Sequence, residues 1–120
     1  MPGTFPKPLY VLDSLQVPLA LGDSVLRILI PNDIINIIVL KGYEATARYG
    51  TAGKNGVIEM TTVVPYVVRG KLLVQPADKI AVLGAIRPTQ VQAIHWLTLQ
   101  QTKRYKRRAE RAALEVLLTE

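Results

Sequence analysis

Short apolar runs alternate along this chain with clusters of turn-forming residues. Leu9–Leu12 is a β-type run, and Asp13-Ser14 is a turn signal after it. Leu15-Gln16-Val17 can return as the second arm of a hairpin. Asp23 or Ser24 is placed to cap a short helix from Val25 to Leu29, which stops at Pro31. Ile34–Leu40 is almost continuously apolar and β-branched, the pattern of a strand buried on both faces. After the break at Lys41-Gly42, Tyr43–Tyr49 reads as a helix ended by Gly50. Gly53 to Gly56 is a turn and Val57–Thr62 the next strand. A strand, crossover helix and strand of this length predict two parallel strands in one sheet.

The second half falls into order when shifted by 57 positions. Pro88 then lies on Pro31, Ile94 on Ile37, Leu97 on Leu40, Ala109 on Ala52 and Thr119 on Thr62. Tyr66-Val67-Val68 falls one residue out of step with Tyr10-Val11-Leu12, and Ala77 to Ala85 takes the place of the helix before the proline. This predicts an extended segment over residues 1–7 and two copies of one β-α-β-α-β unit, over 8–64 and a degenerate copy over 65–120. A unit of that size is marginal as an independent core. The expected fold is therefore α+β, with both units packed as one compact domain with a mixed sheet.

Composition narrows the setting. Nearly half of the 120 residues are apolar, which suits a folded core, and with no cysteine that core must hold by packing alone. The net charge is +6, so nucleic acid, an anionic surface or an acidic protein would suit the chain as partner. Val25–Leu40 is too short and too interrupted to span a membrane, and the first eight residues show no secretory signal.

Four motifs occur in fixed order: Pro8 to Asp13 (PLYVLD), Ile30 to Lys41 (IPNDIINIIVLK), Ala45 to Gly50 (ATARYG) and Gly53 to Thr62 (GKNGVIEMTT). In sequence and spacing they resemble the plug domain of TonB-dependent outer-membrane receptors of the Bacteroidetes type. The resemblance covers the first half, and reaches the second only through the internal repeat. It implies a plug-like fold and a periplasmic or outer-membrane-associated setting, with an envelope protein or cell-wall component as partner. Departures separate resemblance from transport. Nothing in these 120 residues could form the family's barrel, Ser14 stands where the family has glycine, and the turn glycines of the first copy become Arg107, Glu110 and Ala113 in the second.

Catalytic chemistry finds no foothold. Gly50 to Gly56 is glycine-rich with Lys54, but it follows a helix, precedes a strand and has Asn55 after the lysine, unlike a phosphate loop. His95 is the sole histidine, the acids are scattered mostly at turns, and no nucleophile–base motif is present. The chain is read as a non-enzyme without cofactor or metal. The strongest remaining signal is basic: Lys103, Arg104, Lys106, Arg107, Arg108 and Arg111. On a helix they would surround an apolar face and meet a partner or an anion. Propensity alone makes Thr98–Leu118 one helix, whereas the repeat predicts a helix ending near Ala112 and a strand from Leu114 to Thr119. The expectation is thus an envelope interaction module, not itself a transporter, in which a partner can add a strand at a sheet edge and homo-oligomers can form. The alternative is a cytoplasmic nucleic-acid-binding protein using the basic segment.

Overall fold

The computed structural model describes residues 7–29, 31–107, 109 and 111–119. The expected N-terminal extension lies almost wholly outside these residues. Strands β1 (Leu9–Leu12) and β2 (Leu15–Val17) form the foreseen hairpin. Helix α1 (Gly22–Ile28) leads to β3 (Ile34–Leu40), and α2 (Gly42–Tyr49) to β4 (Val57–Thr62). The second half repeats the order: β5 (Tyr66–Val68), β6 (Lys71–Leu73), α3 (Pro76–Leu83), β7 (Val91–Leu97), α4 (Leu99–Thr102) and β8 (Ala113–Leu118). The strands form two four-stranded mixed sheets, β2-β1-β4-β3 and β6-β5-β8-β7, so the chain is α+β. Among the described residues no helix is long and apolar enough to cross a membrane.

One hydrophobic core joins the halves. Leu12, Leu15, Val25 and Met60 of the first pack with Tyr66, Leu73, Leu83 and Leu114 of the second. Strand alternation sends the other side chains outward. There Leu9, Val11 and Val57 pack against Ala45 of α2, and Val67, Leu97 and Ala113 form the corresponding small cluster. Each sheet therefore has one face in the shared core.

Strands β3 and β4 are antiparallel, not parallel as the crossover pattern predicts. The connection starts and ends at the same end of the sheet, where Leu40 faces Val57. Helix α2 has 8 residues, and the 3-10 turn Gly50–Gly53 folds back beside it. Gly53 makes that return possible, since a Cβ there would stand 2.6 Å from the carbonyl oxygen of Ala45. The parallel pair in this half is β1 with β4.

Strand pairing also changes the internal offset. Tyr10 faces Ile58 as Tyr66 faces Leu114, and Ile38 faces Glu59 as His95 faces Glu115. The counterpart of Val57–Thr62 is therefore Ala113–Leu118, an offset of 56, while β3 and β7 keep 57. The uninterrupted match to Thr119 needs one residue deleted after α4. The hairpins correspond too. Asp13 and Ser14 have φ of 48° and 77°, and Arg69 and Gly70 have 50° and 78°. Two left-handed central residues make a type I′ turn, which suits the twist of a two-residue hairpin.

Candidate interaction surface

Strand β3 stands at the edge of its sheet. It is not buried on both faces, as its apolar run predicts. Ile35 is 64% exposed, Ile37 53%, Ile38 44% and Val39 55%. Continuous apolarity fits a strand covered on both sides, but it does not supply the cover. The strand carries no charge from Ile34 to Leu40, only Asn36 and an irregularity between Ile34 and Asn36 to blunt its edge. Beyond it, Tyr43 in the first turn of α2 is 85% exposed.

The second half shows what cover looks like. Ile37 and Val39 correspond to Ile94 and Trp96 of β7, which are half-buried against the shared core, as are Ile28 and Leu29 at the end of α1, the helix that contacts β7. The indole Nε1 of Trp96 donates to the carbonyl of Ile28 at 2.6 Å. Helix α3, the counterpart of α1, gives β3 no such cover. Its Lys79 Nζ is fixed 3.0 Å from the carbonyl of Thr62, and its Leu83 is fully buried in the core.

Lys79 belongs to a buried polar cluster spanning the two halves. The carboxylate of Asp13 accepts from the Thr62 amide at 2.8 Å, the Thr62 hydroxyl at 2.6 Å and the Tyr66 phenol at 2.6 Å. Lys79 Nζ lies 3.7 Å from the same carboxylate, with both side chains about 5% exposed or less, and 5.3 Å from the centre of the Tyr66 ring. Burial, then the negative charge and hydrogen bond of Asp13, push the Tyr66 phenol well above its ordinary value. Burial outweighs Asp13 at Lys79 and pulls its ammonium down. Of the acids that look scattered in sequence, Asp13 thus has a built environment. A lysine one turn before Leu83 on the inward face of an amphipathic helix is the sequence signal that could have exposed it.

The basic segment is neither the long helix its composition predicts nor the helix ending near Ala112 that the repeat predicts. Helix α4 has four residues, capped by Thr98, whose side chain accepts from Gln101 N while the Gln101 side chain accepts from Thr98 N. Past it, Lys103–Arg107 runs through turns. A continued helix would set Lys103 beside Lys106 and Arg107, and Arg104 beside Arg107, with like charges at three- and four-residue spacing. Lys103, Arg104, Lys106 and Arg107 are exposed, and Arg108 lies outside the described residues. Arg111 parts from them: its guanidinium bonds Asp33 at 2.6 Å and the Val63 carbonyl at 3.3 Å. It borders two clefts, of about 420 Å³ beside Trp96 and about 510 Å³ beside Lys106, and neither is lined by Asp13, Tyr66 or Lys79.

Comparison with protein-family models, curated proteins and solved structures finds no match to this chain. The halves can still be compared with each other. The phenol of Tyr49 donates to Glu59, which Arg48 also meets at 3.4 Å, and burial with this carboxylate raises Tyr49 to about 12. In the second half Tyr105 donates to Glu115 at 3.4 Å, and His95 Nε2 lies 2.9 Å from the same carboxylate. His95 therefore sits at the surface of β7 beside the Glu115 carboxylate. These two tyrosine–glutamate pairs tie each helix region to its own sheet. Gly50 to Gly56 serves as the return turn into β4.

Proposed function

We propose that this chain is a non-enzymatic interaction module of the bacterial cell envelope, and that it binds its partner by adding an extended segment to the free edge of β3. The observation that carries this reading is an uncharged seven-residue edge strand with four of its apolar side chains substantially exposed. Such an edge offers unpaired backbone groups for affinity and alternating side chains for selectivity. The plug-like motifs of residues 8–62 support the envelope setting, with an envelope protein or cell-wall component as the bound species. Transport is not part of the proposal.

Fractionation of cells that produce the protein natively tests the setting: it should follow the envelope, and recovery solely in the cytosol would overturn that part. The edge is tested by crosslinking in the same cells. Adducts formed by the wild type should be lost in Ile37→Lys while circular dichroism is unchanged. Adducts that persist would remove β3 as the binding edge.

A further inference from the structure

We propose that the segment seated on β3 is β3 of a second copy of this chain, paired antiparallel about Ile38 to give a continuous eight-stranded sheet. The inference rests on the reading of β3 as a receptive edge and narrows its occupant: the protein seated there is a second copy, in place of any external partner.

Self-complementarity is the first argument. A twofold axis beside Ile38 sets Ile38 against its own copy, Ile37 against Val39, and Asn36 against Leu40. Ile37 and Val39 share a face by strand alternation, so the contact on that face is apolar throughout. No charge meets a like charge, because the segment has none. The irregularity before Asn36 ends the regular stretch, so the paired length is Asn36 to Leu40.

Area is the second argument. Ile35, Ile37, Ile38, Val39 and Tyr43 together leave on the order of 500 Å² of side chain exposed, more than single scattered apolar residues would explain. Ile37, Ile38 and Val39 within the paired length supply about half of this, so two copies reach on the order of 1,000 Å², the lower bound for a specific interface, only when the flanking Ile35 and Tyr43 are covered as well. Closure is the third. The opposite edge of this sheet is β2, with only three residues, and Leu15 and Val17 are already buried in the core. A head-to-tail stack through β2 and β3 has little to hold it, whereas a twofold pair closes on itself.

The chain has no cysteine, so single thiols report proximity without interference. Ile38→Cys should oxidise rapidly to a disulfide-linked pair. Ile80→Cys, at a comparably exposed position on α3, should oxidise many-fold more slowly. Sedimentation of the wild type at micromolar concentration should give twice the chain mass, and Ile38→Lys should return it to one chain mass with unchanged circular dichroism. A wild type that sediments as one chain, or equal oxidation rates for the two thiols, overturns the proposal. A monomer whose crosslinks to envelope material are still lost in Ile37→Lys would leave β3 as a receptive edge with a different occupant. A monomer whose crosslinks persist in Ile37→Lys would remove the edge reading as well.

Discussion

Replacing Lys79 with methionine tests the buried cluster that joins the two halves. The change keeps the length of the side chain and removes its charge. At 3.7 Å from Asp13, and at an effective dielectric of about 20, the gross attraction lost is about 4 kcal/mol. Desolvation opposes that attraction, and burial is the leading cause of the lowered Lys79 pKa, so the net value is smaller. Asp13 also keeps three donors, from Thr62 N, Thr62 Oγ1 and Tyr66 Oη, while the Thr62 carbonyl loses one. Together these give an expected cost of about 2–3 kcal/mol, near the lower end of the range for breaking a buried pair. Asp13→Ala should cost more, about 4–5 kcal/mol, because it strands three donors and leaves the ammonium buried without its counter-charge. Urea unfolding followed by Trp96 fluorescence and far-ultraviolet circular dichroism measures both variants. Trp96 is well placed as a probe, since its indole bonds across from β7 to the end of α1 in the other half. If both variants fell within about 0.5 kcal/mol of the wild type, or if Lys79→Met cost more than Asp13→Ala, the cluster would not be holding the halves together as argued.

The same cluster sets an alkaline limit. Tyr66 is raised in the folded state, so its contribution is fully present below the unfolded phenol pKa and is lost as pH rises toward the folded one. Stability should therefore fall above about pH 10, and Tyr66→Phe should flatten that fall in urea titrations across the range while costing about 1–2 kcal/mol at neutral pH. Ser14→Gly relieves a left-handed serine at φ 77° and should raise stability by about 0.5–1 kcal/mol in thermal unfolding, after the entropy cost of the added glycine. Gly53→Ala should lower stability by about 1–3 kcal/mol in the same assay, because its Cβ would meet a backbone oxygen that cannot rotate away.

Much of the local structure was legible in residue order. The hairpin follows from Leu9 to Val17 because two short β-type runs bracket the turn pair Asp13-Ser14. Helix α2 follows from Tyr43 to Tyr49, with Glu44 in its first turn, Arg48 in its last and Gly50 at its end. The repeat predicted a strand near Leu114 against the helical propensity of Ala, Leu and Glu. Ala113–Leu118 is a strand because β5 and β7 pair with it on both sides. What the sequence by itself determined were the elements whose cause lies within a few residues: turns, caps and alternation.

The tertiary structure decided what depends on neighbours distant in the chain. It turned β3 antiparallel to β4, because the direction of a pair is set by where the connection ends and not by the presence of a helix in it. It left Ile37 and Val39 bare while covering Ile94 and Trp96, although the two strands read alike, because α1 reaches β7 and α3 is held by Lys79 against Thr62. It drew Arg111 out of the basic run to Asp33 and brought Asp13, Tyr66 and Lys79 into one buried cluster. Hydrophobic pattern tells which side chains avoid water; only the packed chain tells which of them found cover, and the uncovered strand is where its proposed function rests.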